Sequence, residues 1–220
     1  MSQVNIEQAR LNMIEQQIRP WEVLDQQVLD AMREIPREDF VSETWRNLAF
    51  ADFSIPLEHG QSMMPPRVEA RLLQAVAVRP FETVLEVGTG SGYLTALLTR
   101  FAKHVYSVDI HQDFITAAAA RLAALGITNA TLEQGDAAAG WNTHGPYDVI
   151  VLTGSVDHLP EAFRDSLRPH GRLFAVIGEP PVMEARLLER GDNDQWSSET
   201  LFETVAPALE NLAPVQEFSF

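Results

Sequence analysis

Apolar residues follow two different periods along this chain. Up to about residue 80 they recur every three or four positions; beyond it they gather into short continuous runs. Val4, Leu11, Ile14 and Ile18 are separated by seven, three and four residues, which predicts the buried stripe of a helix ending at Pro20. Asp25 is suited to cap a second helix with Val28, Ala31, Met32 and Ile35 inward, and Pro36 stops it. Residues 37–65 carry scattered aromatics and no sustained period, so an irregular segment is expected. Helical spacing returns over 66–78, with Val68, Leu72, Leu73 and Val76 as the buried set and Pro66 in the first turn.

The β-rich runs come next: TVLEV (83–87), HVYSV (104–108), ATLEQ (130–134), YDVIVLT (147–153) and RLFAVIG (172–178). Helical segments lie between them at 91–102, at 113–125 closed by Gly126, and at 160–167 opened by Pro160 and followed by an Arg-Pro-His-Gly turn at 168–171. Apolar strands alternating with helices predict a parallel sheet covered on both faces. EARLLER (184–190) and SETLFETV (198–205), joined by a polar GDNDQ turn, predict an antiparallel hairpin at the sheet's edge. The expected fold is α/β: a doubly wound, mostly parallel sheet over 81–220 ending in the hairpin. N-terminal helices and a ligand-facing loop over 1–80 would pack on it, giving one compact unit.

Composition narrows the function classes. At 220 residues, 45% apolar and 21% charged, the chain is an ordinary globular sequence with room for one sizeable core. The N-terminus lacks an apolar signal region, and no run approaches the roughly 18 apolar residues of a membrane span, so a cytoplasmic location without membrane contact is expected. There is no cysteine, which excludes disulfides and thiolate chemistry. A net charge of −15 repels phosphate backbones and argues against nucleic acid as a partner. The six histidines lack ligand spacing, so no metal is expected; His111 alone falls beside a candidate site. Ser91 lacks the flanking glycines of a hydrolase elbow, and no Walker triplet occurs. The sequence sets no oligomeric state.

The candidate chemistry lies in VLEVGTGSGY (84–93), where a buried strand runs into Gly88, Gly90 and Gly92 and a helix begins near Ser91. Glycines at such a turn let the backbone fold tightly and approach a ligand, with free N–H groups at the helix start. A dinucleotide loop reads G-x-G-x-x-G and places a pyrophosphate there. This one reads G-x-G-x-G, with Glu86 two residues before Gly88. A carboxylate repels a pyrophosphate but attracts a cationic amino-acid group, so S-adenosylmethionine fits better than NAD. Asp109 ends the second strand, nineteen residues after Gly90, where it can accept from both ribose hydroxyls. Asp136, in QGDAAA after the third strand, is placed to accept from an adenine amino group. Any one of these acids also reads as a loop residue or a cap. Together with the glycine loop they read as one crevice at neighbouring strand ends. Thr89, Ser91, Tyr93, Ile110, Ala137 and Thr153 are expected to share it.

MIEQQIRP, VLDAMREIPREDFV (28–41), HGQSMMPP, VLEVGTGSGYLTALL and YDVIVLTGSVDHLPEAF (147–163) together resemble the protein-L-isoaspartate O-methyltransferases, over nearly the whole chain. The resemblance implies a seven-stranded sheet of the class I methyltransferase type, S-adenosylmethionine as cofactor, and an isoaspartyl side-chain carboxylate in protein as acceptor. It also makes Gln61, Ser62, Met63, Met64, Pro65 and Pro66 the acceptor wall. In the family this loop reads approximately G-Q-T-I-S-Q-P, and its serine is associated with activity. Aligned on Gly60, Gln61 and Pro66, Ser62 takes the threonine position, Met63 the isoleucine, Met64 the serine and Pro65 the glutamine. The catalytic candidates are thus Ser62 and the position of Met64. Losing a donor to a carboxylate costs about 1–3 kcal/mol, roughly tenfold to a hundredfold in rate. Val156, Asp157 and His158 are a second departure, expected to add bulk and a negative charge at the acceptor end. A methyltransferase with another acceptor, or a cofactor-binding protein without isoaspartyl activity, are the alternatives these departures leave open.

Overall fold

The computed structural model describes residues 5–212. Asn5 starts α1 (Ile6–Met13), its side-chain oxygen accepting from the Gln8 amide at 3.1 Å. The helix runs on through a π turn, Ile14–Ile18, and a 3-10 turn, Arg19–Trp21, that contains Pro20. Its buried face differs from the expected stripe. Val4 lies outside the described residues, and Leu11 is exposed, whereas Met13, Ile14 and Ile18 are buried. Arg10 occupies the inward face instead, paired with Glu38 at 2.6 Å and set over the Phe50 ring. An arginine that carries its own partner inward hides the phase of a stripe from any count of apolar positions.

Asp25 caps α2 (Gln26–Glu34), accepting from the Gln27 amide at 2.8 Å, and Val28, Ala31, Met32 and Ile35 are all buried. The irregular segment holds 3-10 turns and one short antiparallel ribbon of β1 (Ile55–Pro56) and β2 (Ser62–Met63), in which Ile55 faces Met63 and Pro56 faces Ser62. Two-residue strands carry no period, so this ribbon was illegible in the sequence. Helix α3 (Pro66–Val76) follows, with its four expected apolar positions buried.

The main sheet contains β3 (Thr83–Val87), β4 (His104–Asp109), β5 (Ala130–Gln134), β6 (Tyr147–Val156), β7 (Leu167–Glu179), β8 (Val182–Arg190) and β9 (Trp196–Glu203). The order is β5-β4-β3-β6-β7-β8-β9; β3 to β7 pair in parallel, and β8 and β9 each pair antiparallel with the strand before. Helices α4 (Tyr93–Thr99), α5 (Gln112–Ala124) and α6 (Glu161–Asp165) are the connections. The turn expected at 168–171 is an excursion within β7: Tyr147 pairs with Leu167 and Val149 with Arg172, so the intervening residues loop out. Buried Leu167 holds the strand to the sheet before that excursion.

Alternate residues of a strand face opposite sides of the sheet, and here both sides are covered. Val84, Val149, Val151 and Phe174 join α1, α2, α3 and α4 in one apolar cluster, whereas Leu85, Ile150, Leu152 and Leu173 join Phe163 of α6 in another. After β3 the chain moves outward to β4 and β5, then returns to the other flank of β3 to lay down β6. That reversal parts the loops following β3 and β6. A crevice opens between them, where open α/β sheets take their ligands.

Candidate active site

The crevice encloses about 890 Å³, counting the open space at its mouth. It is lined by Glu86, Gly88, Thr89, Gly90, Ser91, Asp109, Ile110, Asp136, Ala137 and Thr153, and on the facing wall by Gln61, Ser62, Met63 and Met64. Four expected residues lie elsewhere. Gly92 packs against α5, where an added Cβ would sit 2.7 Å from that of Ala118. Tyr93 is fully buried, its ring 5.3 Å from Phe40 and 4.8 Å beneath the Arg37 guanidinium. Helix α4 starts at Tyr93, and its first side chain enters the core rather than the crevice. Pro66 is buried as the first residue of α3, and Pro65 lines a separate small hollow.

Val156, Asp157 and His158 correct the expected acceptor end. Strand β6 continues to Val156, which is buried in the apolar cluster with Phe163, and Asp157 pairs with His158 at 2.6 Å. The crevice lining contains Thr153 and Gly154 but none of these three, so this loop adds no acid to the crevice wall.

The glycine turn is held from below. Gly88 has φ +96°, and a Cβ there would overlap the hydroxyl of Thr153. That hydroxyl lies 2.9 Å from the Val87 carbonyl and 2.8 Å from that of Gly88, and donates to one of them at a time. Asp109 ties the turn to the tip of β4: one carboxylate oxygen accepts from the Gly90 amide at 2.8 Å, the other from the His111 amide at 2.9 Å. Each oxygen keeps a second lone pair for an incoming hydroxyl.

Glu86 is wholly buried. One of its oxygens accepts from Thr95 at 2.5 Å and Ser107 at 2.6 Å; the other has no partner. Burial pushes its pKa up to about 8 from the usual 4.5, against the pull of the Ser107 and Thr95 hydroxyls. Its carboxyl is therefore mostly protonated at neutral pH, and an orphaned oxygen in the crevice wall suits an ammonium group that would restore the charge. An acid whose folded pKa is raised stabilises fully below its unfolded value, and that stability is lost as pH rises through the folded one. We expect Glu86→Gln to remove a loss on the order of a few kcal/mol between pH 5 and pH 8, seen as denaturation midpoints that fall less steeply with pH than those of the parent. Glu69, also in the wall, is pushed up to about 7 by burial, with Arg37 opposing.

Two parts of the site were not foreseen. After β9 the chain crosses the end of β6: Ser155 donates to the Pro207 carbonyl at 2.8 Å, and its own carbonyl accepts from Leu209 at 2.9 Å. Glu210 then accepts from Gln61 at 3.2 Å and His111 at 2.8 Å, while Asn211 donates to Asp136 at 2.8 Å. Gly154 gave the one sequence hint, since a Cβ there would meet Leu209 at 2.8 Å. The second part is a stack of His59 on His111, with centroids 3.8 Å apart and planes within 5°. His59 faces Asp113 at 3.0 Å. His59, His111 and Asp113 bring one ligand-type atom each within 4.8 Å of one another, and the stack with its Asp113 contact joins the loop to the first turn of α5.

The wall, the carboxylates and the turn thus offer an anionic groove around an apolar middle, suited to a cationic nucleoside. The sequence pattern of the protein-L-isoaspartate(D-aspartate) O-methyltransferase family matches residues 8–207. The chain belongs to this family. A protein-L-isoaspartate O-methyltransferase of Methylorubrum extorquens (strain PA1) is 39% identical over 191 residues, covering 87% of this chain and 83% of that one. One from Pelobacter propionicus is 36% identical, covering 89% and 88%. A solved protein-L-isoaspartate O-methyltransferase superposes with a TM-score of 0.78 at 25% identity over 92% of this chain; the match spans 65% of that longer chain. A Plasmodium falciparum structure assigned to the same family, determined with S-adenosyl-L-homocysteine, gives a TM-score of 0.78 at 20% identity, covering 94% and 99%. As a family member the chain is an S-adenosylmethionine-dependent methyltransferase with the class I fold. Among the described residues no helix is long and apolar enough to cross a membrane.

Proposed function

We propose that this methyltransferase acts on the side-chain carboxylate of isoaspartyl residues in proteins, as a repair enzyme of the cytoplasm. Supporting the cofactor part of this reading are the orphaned Glu86 oxygen for the ammonium, the Gly88 to Gly90 backbone beneath the methionine portion, Asp109 for the ribose and Asp136 for the adenine. When bound, S-adenosylmethionine supplies an activated methyl on sulfur. A carboxylate is already nucleophilic at neutral pH, so the protein needs no general base. Its work is to hold the acceptor oxygen in line and keep water away, and Leu57, Met63 and Met64 make that wall apolar.

The observation that carries the reading is this wall facing the glycine turn across one crevice in a chain matched to the family over residues 8–207. Incubation with radiolabelled S-adenosylmethionine and an isoaspartyl peptide is expected to give base-labile methyl ester, with the ordinary aspartyl isomer unmodified. Binding of S-adenosylhomocysteine without any such ester would overturn it. A second reading, another protein or small-molecule carboxylate as acceptor, is favoured by the thioether of Met64, which offers no hydrogen to an anion. A panel of carboxylates in the same assay separates the two.

A further inference from the structure

The turn between β1 and β2 and the start of α5 bring together side chains to which methyl transfer assigns no task. His59 stands on the turn, His111 and Asp113 at the N-terminal end of α5, and each offers one ligand atom within 4.8 Å of the other two. The imidazoles stack with centroids 3.8 Å apart. Nε2 of His59 lies 3.1 and 3.0 Å from the two carboxylate oxygens of Asp113, and Nε2 of His111 lies 2.8 Å from Glu210. A fourth donor, the Glu210 carboxylate, thus adjoins the trio. Phe114 meets both rings edge-on at 5.4 Å and is itself buried, so the polar atoms have an apolar backing.

His59 is held in a left-handed backbone conformation, φ +58°, which residues with a side chain rarely adopt and which concentrates at ligand sites. Linear order conceals the set. His59 and Asp113 are 54 positions apart, so no ligand spacing shows in the sequence, and spacing was the ground for expecting no metal. Two imidazoles favour a transition-metal ion over magnesium or calcium, which take oxygen ligands. The net charge of −15, with Asp109 and Asp136 in the adjoining crevice, draws cations to this mouth. Around a tetrahedral zinc, bonds of about 2.0–2.1 Å set ligand atoms about 3.3–3.4 Å apart. The stacked rings point their nitrogens side by side, so closing on an ion takes a turn of each imidazole about its Cβ–Cγ bond. His59 and Asp113 are exposed, and the larger share of that adjustment falls on side chains at the surface.

We propose that His59, His111 and Asp113 form a binding site for one divalent transition-metal ion of the zinc type, with Glu210 as the fourth donor. The ion joins the β1–β2 turn, the start of α5 and the segment that crosses the end of β6. These three parts meet at the crevice mouth, where His111 and Glu210 are already part of the lining. His59 and Asp113 lie outside that lining, so the ion ties the rim together from its outer side. The site stands whichever carboxylate is the methyl acceptor.

The test is calorimetric titration with Zn²⁺ of the untagged, chelator-treated full chain, of His59→Gln and Asp113→Asn, and of His158→Gln and His170→Gln as controls. Each control histidine faces a single carboxylate, Asp157 or Asp192. The parent is expected to bind a single Zn²⁺ saturably. His59→Gln and Asp113→Asn should each weaken binding by at least about tenfold, the loss that removal of even an outer partner of a metal site brings, with the controls within about twofold of the parent. If circular dichroism shows either variant unfolded, the imidazole NMR signals of the parent decide. Paramagnetic Co²⁺ should then broaden those of His59 and His111 ahead of the other four histidines. The site is overturned if the parent takes up no Zn²⁺ saturably, or if folded His59→Gln and Asp113→Asn bind within about threefold of it. Co²⁺ broadening of all six histidines alike, an adventitious ion only, overturns it too. None of these results bears on the methyltransferase reading, which methyl ester formation tests separately.

Discussion

Replacing Gly88 by alanine is expected to weaken S-adenosylhomocysteine binding by more than about a hundredfold, close to 3 kcal/mol, in a calorimetric titration. Two costs combine. At φ +96° an alanine is in a conformation that side-chain-bearing residues rarely adopt, worth of order 1–3 kcal/mol. Its methyl would also enter the space of the Thr153 hydroxyl. Thr153 cannot simply withdraw, because that hydroxyl is bonded to the carbonyls at the end of β3. The turn must move instead, carrying with it the Gly90 amide that Asp109 holds. Adding Thr153→Ala should recover part of the affinity but not all, since the backbone cost persists. Affinity within about fivefold of the parent in Gly88→Ala would mean that the cofactor does not rest on this turn.

Arg37→Met is expected to have the largest effect on stability. The guanidinium is fully buried; it pairs with Glu69, donates to the Ala49 carbonyl at 2.8 Å and the Met64 carbonyl at 2.6 Å, and lies over Tyr93. Methionine fills the volume but strands a carboxylate that is only 1% exposed, along with two carbonyls. Removing one partner of a buried pair costs about 3–5 kcal/mol, for a chain of this size a fall in Tm on the order of 10 °C. Glu69, already raised to about 7, would rise further and stay protonated, so the deficit should be larger at pH 8 than at pH 6. Adding Glu69→Gln should return part of the stability at pH 8, where the stranded carboxyl must otherwise be held protonated. A Tm within about 2 °C of the parent for Arg37→Met would show that the buried pair contributes little.

What could be read from the sequence was local, and what could not was made by distant segments. The run VLEVGTGSGY announces its own strand, turn and helix, because the glycines and the apolar residues are neighbours in the chain as well as in space. Asp109 and Asp136 were readable for the same reason, each lying at a strand's end. Tyr93 misled because a residue beside a ligand loop can enter the core, and its ring serves Arg37 instead. Leu11 misled because Arg10 took the inward place. Asp157 and His158 fell outside the crevice because β6 runs to Val156, past the last β residue that the pattern showed. The β1–β2 ribbon and the crossing of residues 206–211 had no local signature at all; both exist only through contacts with other parts of the molecule.

The bond between Glu210 and Gln61 joins residues 149 positions apart. The rim of the crevice is therefore among the most sequence-distant junctions in the protein, and closing a loop of that length takes more entropy than forming the glycine turn. A chain still emerging from synthesis can assemble the floor of its pocket well before the stretch that completes the entrance exists. Full enclosure of a guest thus waits until residues 206–211 have been made and have docked across the end of β6.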